Sequence, residues 1–155
     1  MQRQPWVRLR PLEVGREPIF FVADAHLRAG DRDGASRLAD FVESLPPGRL
    51  FFLGDLFNLY WGPEAVEEGA WERLFSVLKA RGRELRAFFL PGNRDFLVGR
   101  ELRLRSGIEL LGEFVSLKRG ALRLLACHGD QLCLEDLSYQ RLKRVIRDPL
   151  LLSLW

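Results

Sequence analysis

Three short apolar runs, each breaking off at Asp, Gly or Pro, set the strongest limit on how this chain can fold. Pro18 to Ala23, Leu50 to Leu53 and Leu85 to Leu90 are rich in aromatic and aliphatic residues, with no alternating polar face. Runs of that length and character predict strands buried on both sides. Between the first two, Ala35 to Leu45 sets Leu38, Phe41, Val42 and Leu45 at i, i+3, i+4 and i+7, a helix face. Pro46-Pro47-Gly48 ends it. Between the second and third, Glu64 to Ala80 predicts an amphipathic helix with Ala70, Leu74, Val77 and Leu78 inward, closed by Gly82. Strand, helix, strand, helix, strand predicts a parallel α/β sheet.

The pattern then changes. Glu113 to Leu117 and Ala121 to Ala126 flank Lys118-Arg119-Gly120, which predicts a hairpin. Leu137 to Arg147 predicts a helix, with Tyr139, Leu142, Val145 and Ile146 on one face. Trp6 to Leu12 fits an extra edge strand, although Pro11 argues against one. A length of 155 residues, 47% hydrophobic and 29% charged, predicts one soluble domain over 1–155, with 1–16 as an uncertain extension. The net charge of +3 suits an anionic ligand and excludes the dense basic blocks of a nucleic-acid arm. Met1 to Arg16 lacks the apolar core of a secretory leader, so Cys127 and Cys133 are expected as free thiols in the cytoplasm. No apolar run reaches the roughly 20 residues of a spanning helix.

Metal-binding residue types stand at the ends of the predicted strands. The first strand ends in Asp24-Ala25-His26, the second in Gly54-Asp55, the third in Gly92-Asn93-Arg94-Asp95 and the hairpin in His128-Gly129-Asp130. Ligands of open parallel sheets bind beyond the carboxyl ends of the strands, so the four clusters should converge. Carboxylate, amide and imidazole donors together favour Mn²⁺, Fe²⁺ or Zn²⁺ over Ca²⁺. A carboxylate such as Asp55 can bridge two ions about 4 Å apart, a pairing that activates water and offsets charge on a phosphoryl group. Taken singly, each motif has a plainer explanation: a polar loop at Asp24, a helix cap at Asp55, a turn at Asn93, a satisfied histidine at His128. Four in this order, each after its own strand, point to one site.

That order resembles the calcineurin-like metallophosphoesterases, which implies a two-sheet α/β sandwich with a βαβαβ core plus hairpin. Gly92-Asn93-Arg94-Asp95-Phe96-Leu97, Gly54-Asp55-Leu56-Phe57 and His128-Gly129-Asp130-Gln131-Leu132-Cys133, continued by Asp136-Leu137-Ser138-Tyr139-Gln140, are similar to the UDP-2,3-diacylglucosamine hydrolase branch of that superfamily. The resemblance implies two divalent ions, most readily Mn²⁺, one on Asp24, His26 and Asp55 and the other on Asp55, Asn93 and His128. It further implies that Asn93 and Arg94 act in catalysis, that Asn93, Arg94 and Asp136 touch substrate, and that Tyr139 and Leu142 line an acyl-chain groove or pack in the core. Arg94 suits phosphate, since its planar fork pairs with phosphate oxygens and never loses its charge; its other expected partners are Asp95 and Glu101. The implied reaction is hydrolysis of a nucleotide-lipid pyrophosphate in lipid A synthesis, in the cytoplasm and peripheral to the inner membrane. The alternatives are a soluble nucleotide or phosphodiester substrate, or an inactive remnant that serves as an interaction module.

Departures from that branch are as informative. Its Gly-His-x-His segment, which adds two ligands, has no counterpart here, because His26 and His128 are the two histidines of the chain. Ala25, Pro91 and Asn58 stand where the branch has Leu, His and an acidic residue. The expectation is therefore an amino-terminal portion of such an enzyme, incomplete at the carboxyl end, with each metal left three protein ligands. Leu150-Leu151-Leu152-Ser153-Leu154-Trp155 is expected to drive self-association or surface binding.

Overall fold

The three apolar runs become neighbouring parallel strands. A computed structural model describes residues 11–62 and 69–148. In chain order its elements are β1 (Leu12–Glu13), β2 (Ile19–Val22), α1 (Arg32–Ser44), β3 (Gly48–Phe52), α2 (Glu72–Arg81), β4 (Leu85–Phe89), α3 (Arg100–Ser106), β5 (Glu109–Leu110), β6 (Phe114–Arg119), β7 (Leu122–Cys127) and α4 (Leu137–Ile146). One sheet runs β2-β3-β4-β5, all parallel; the other runs β1-β6-β7, with β1 parallel and β7 antiparallel to β6. This is a mixed α/β sandwich.

Alternation along the buried strands explains why they are apolar throughout. Leu50, Phe52, Leu85, Ala87 and Phe89 face α1, α2 and α3, packing with Ala39, Val42, Trp71, Leu74, Leu78 and Leu102. Phe51, Phe88 and Leu90 face the other way, against Val14, Val115 and Leu117 of the second sheet. Phe21, Phe51 and Phe88 are in register across three strands, and their rings stack with centroids 5.6 and 4.7 Å apart. Each buried ring or leucine of β3 and β4 stabilises the fold by about 1.5–3 kcal/mol, whereas Phe21, on the edge strand β2, is 42% exposed.

Several expected details differ. The inward face of α1 is built on Ala35, Ala39 and Val42, while Phe41 is 42% exposed, because small residues let α1 lie close to α2. Arg81 of α2 donates to the carbonyls of Val42, Glu43 and Leu45 at 2.7–2.9 Å, satisfying the C-terminal end of α1. The second helix begins at Glu72, after a turn holding buried Ala70; residues 63–68 of the expected stretch lie outside the described residues. Gly82 follows α2 with right-handed backbone. The hairpin turn is Gly120-Ala121, with Gly120 at φ +59°, the glycine-first pattern of a two-residue turn. Of the expected edge strand Trp6 to Leu12, residues 6–10 lie outside the described residues, and Leu12–Glu13 pairs with Leu117 and Lys118. Unforeseen are α3 and β5, for which Arg100 to Ser106 shows little apolar period; Gly107, at φ +75°, ends α3 in a left-handed cap.

The largest departure is α4. Its inward side carries Tyr139, Lys143 and Arg147, while Leu142 and Val145 are 55% and 58% exposed. Residues 150–155, expected to self-associate, lie outside the described residues. Among the described residues, no helix is long and apolar enough to cross a membrane, and Cys127 and Cys133 are free.

Candidate metal centre

Beyond their last residues, β2 and β3 continue side by side. Asp24 N–H donates to Gly54 O at 3.2 Å, His26 N–H to Asp55 O at 2.9 Å and Leu27 N–H to Leu56 O at 3.0 Å. Asp24, His26 and Asp55 adopt left-handed backbone, at φ +54°, +48° and +50°. Such conformations cost about 1–3 kcal/mol each for residues other than glycine and gather at functional sites. Asp and His tolerate them better than most. The β4 loop interlocks from the other side. A Cβ on Gly54 would come within 2.5 Å of the Gly92 backbone, and one on Gly92 within 2.2 Å of Asp55 Oδ1. Glycine is needed at both positions for this approach.

Asp95 locks the two loops together. Fully buried, it accepts from Gly92 N–H (2.8 Å) and Asp55 N–H (3.2 Å) through Oδ1, and from Leu56 N–H (2.8 Å) and Phe57 N–H (3.3 Å) through Oδ2. Burial pushes its pKa up, against the pull of these amides. The same-motif neighbour expected as a partner of Arg94 is therefore occupied with backbone.

Onto this frame the loops bring six of the seven expected residues. One ligand atom each from Asp24, Asp55 and His128 lies within 4.8 Å of the others. His26 Nε2 is 3.6 Å from Asp24 Oδ1, and its Nδ1 is 3.9 Å from Asp55 Oδ2. His128 Nε2 is 3.7 Å from Asp55 Oδ1 and 2.9 Å from Asn93 Oδ1. Arg94 donates its backbone N–H to Asp55 Oδ1 at 2.9 Å, and its Nε lies 3.6 Å from Asp55 Oδ2, with the guanidinium half exposed. The seventh, Asp136, is otherwise engaged: its Oδ1 caps α4 by accepting from Tyr139 N–H at 2.9 Å.

The donor set fits a cation. His128 Nδ1 lies 2.9 Å from the carbonyl of Leu53, which can only accept, so Nδ1 carries a proton and Nε2 is the nitrogen turned to the cluster. Nε2 lies 2.9 Å from the amide oxygen of Asn93. Adjacent donors bound at about 2.1 Å to one six-coordinate ion sit about 3 Å apart, a spacing this pair matches. Asp55, 2% exposed, offers both oxygens between the Asp24–His26 side and the Asn93–His128 side.

Residues 17–155 match the calcineurin-like phosphoesterase family. The chain belongs to that family. Among curated relatives, the UDP-2,3-diacylglucosamine hydrolase of Neisseria meningitidis serogroup B is 32% identical over 133 residues, covering 84% of this chain and 55% of that protein. The same-named proteins of Aeromonas salmonicida and Haemophilus influenzae are 38% and 30% identical, over 81% and 88% of this chain and 50% and 58% of theirs. The chain thus spans about half the length of the curated relatives it matches. Yfce, a phosphoesterase from E. coli of known structure, aligns at 22% identity and a TM-score of 0.46 over 73% of this chain and 58% of its own. That likeness is too loose to add to the family match. Calcineurin-like phosphoesterases imply divalent metals, and Asp24, Asp55 and His128 form a group able to hold one.

Sequence reasoning missed the residues behind the ligands. Asp95 and Asp130 belong to the recognised motifs, yet neither joins the cluster: Asp95 binds backbone amides, and Asp130 binds Tyr139 and Lys143. Lys143 carries no local signal in the sequence, because its pairing with Asp130 and Glu113 is what turns its stripe of α4 inward.

Proposed function

We propose that this chain carries the metal-binding half of a hydrolase that cleaves the pyrophosphate of UDP-2,3-diacylglucosamine, giving UMP and lipid X. Asp24, His26 and Asp55 would hold one divalent ion and Asp55, Asn93 and His128 the other, and the mixed oxygen and nitrogen donors suit Mn²⁺. Bound there, such a pair makes water a nucleophile at neutral pH and offsets charge on the phosphoryl group. Arg94 is the observation that carries the reading. Its Asp55 and Asn58 contacts, at 3.6 and 3.4 Å, leave the half-exposed guanidinium donors to pair with phosphate oxygens at the mouth of the cluster. Asn93 would orient the same phosphate region, and Asp136 would contact substrate.

Apolar surface beside the cluster supports a nucleotide-lipid over a soluble substrate. Leu59 and Trp61, exposed, continue the loop that carries Asp55, and Tyr60 N–H ties that loop to Arg94 O at 2.9 Å. Leu137, Leu142 and Val145 of α4, with Leu134 just before it, add further exposed apolar surface. Surfaces of this kind suit acyl chains and peripheral contact with a cytoplasmic membrane face.

With Mn²⁺ added, release of UMP from UDP-2,3-diacylglucosamine is expected to exceed turnover of simple nucleotide diesters by at least about tenfold. Equal or faster turnover of the soluble diesters would replace the lipid substrate with a soluble one. No turnover of any phosphoester, with Mn²⁺ bound, would leave a binding module.

A further inference from the structure

Behind the cluster, α4 is fastened to two of its loops by a buried set of charges. Lys143 Nζ lies 2.8 Å from Asp130 Oδ2 and 3.2 Å from Glu113 Oε1. Arg147 pairs with Glu113, approaches Asp130 Oδ2 at 3.7 Å and donates to the carbonyl of Gly92 at 2.6 Å. Its guanidinium also lies 5.1 Å from the centre of the Phe96 ring, so it grips both ends of the segment 92–96. Tyr139 O–H donates to the Asp130 carboxylate, and Gln140 Nε2 donates to the Asp130 carbonyl at 3.1 Å.

As a stabilising device this set is poor. Asp130 Oδ1 and Arg147 Nε are buried with no hydrogen-bond partner among the described residues. A partly satisfied ionic cluster is commonly no better for stability than apolar packing. Its geometry has a different outcome. Gly92, held at N–H by Asp95 and at C=O by Arg147, directly precedes Asn93. Asp130, held by Lys143, Tyr139 and Gln140, stands two residues after His128.

From this we infer that Arg147 and Lys143 are positioning residues for the metal centre: α4 fixes the distance between Asn93 Oδ1 and His128 Nε2, and so sets affinity at that half of the centre. The inference rests on the two-ion reading above. Neither residue touches substrate or ion; both act through the loops they hold. Among the described residues, the hydrogen bonds and ion pairs of Asp24 and His26 run to one another and to the β3 loop, which places them outside this control.

Two readouts test it on the whole chain, using Arg147→Met and, should that variant fold poorly, Arg147→Lys. The first is imidazole ¹⁵N NMR without metal; with two histidines in the chain there are two rings to follow. The His128 signals are expected to move while those of His26 stay in place. The second is calorimetric titration with Mn²⁺. One site is expected to weaken by about 10- to 100-fold, the range for residues that support ligands from behind, while the other changes by less than about threefold. Unmoved His128 signals, or equal weakening of both sites, would overturn the inference. Wild-type chain that takes up no Mn²⁺ would remove the two-ion reading, and the NMR comparison would still decide whether α4 positions His128.

Discussion

The two sides of the centre are built in opposite ways. Asn93 and His128 are held from behind: His128 by the Leu53 carbonyl, Asn93 through Gly92, and both loops by α4. Asp24 and His26 are exposed on left-handed backbone, and the ion pairs of His26 among the described residues, at 3.6 and 3.9 Å, are to Asp24 and Asp55. One side is organised without a cation; the other is expected to gain its order from one. Binding is therefore expected to be unequal, with the Asn93–His128 side filling first, since preorganised donors lose less freedom on binding.

Removing Asp55, the residue both sides share, should have the largest effect. Asp55→Ala is expected to lower metal-dependent hydrolysis by about 10³-fold or more, equivalent to about 4 kcal/mol, and to erase the Mn²⁺ isotherm. The melting temperature should move by only a few degrees, since one hydrogen bond from Arg94 N–H is lost. Wild-type turnover would take Asp55 out of the mechanism.

Asp95→Ala should come next and strike the fold. Four buried amides lose their acceptor. The expected loss is about 3–5 kcal/mol, read from urea unfolding, whereas Asp24→Ala at an exposed position should cost under about 1 kcal/mol. Similar losses in the two variants would break the contrast between frame and ligand.

Acid should loosen α4 before the sheet. Burial raises the pKa of Asp130, but hydrogen bonds from Lys143 and Tyr139, with the charges of Lys143 and Arg147, outweigh it and hold the carboxyl below its usual 3.8. A depressed folded value means that the stabilisation is complete above the unfolded value and is lost as pH falls through the folded one. Amide exchange in α4 should accelerate below about pH 4, ahead of that in β3 and β4. Simultaneous acceleration in strands and helix would show that α4 is no separate unit.

The smallest effect belongs to the cap of α4. Asp136→Ala should cost about 1 kcal/mol, seen as fraying of the first turn by amide exchange. Loss of exchange protection across all of α4 would mean that the cap, more than the ion cluster, holds the helix.

Sequence pattern reached the strands and the converging loops because hydrophobic runs and glycine-flanked polar motifs are local signals. Phe51 and Leu50 must face opposite layers whatever lies around them, so their strand was legible. The orientation of α4 was not, because a helix with Leu142 and Val145 on one stripe and Lys143 and Arg147 on another gives no local clue to which is inward. Tertiary charge pairing with Asp130 and Glu113 decides it. The same holds at the site. Motif order brought Asp24, His26, Asp55, Asn93, Arg94 and His128 to notice, and the structure brings these six together. The work of Asp95 depends on amides 38 to 40 residues away, which no short window contains.

Left-handed backbone at Asp24, His26 and Asp55 has a consequence for laboratory evolution. Glycine takes that conformation without strain, so Gly at any of the three would relieve about 1 kcal/mol or more of conformational cost. Selection for heat resistance alone would then reward the loss of the residues proposed to bind the ions. A thermostabilised library screened without its chemistry should drift toward glycine at 24, 26 and 55, and clones that keep their side chains under that pressure would mark the positions where something other than folding is being selected.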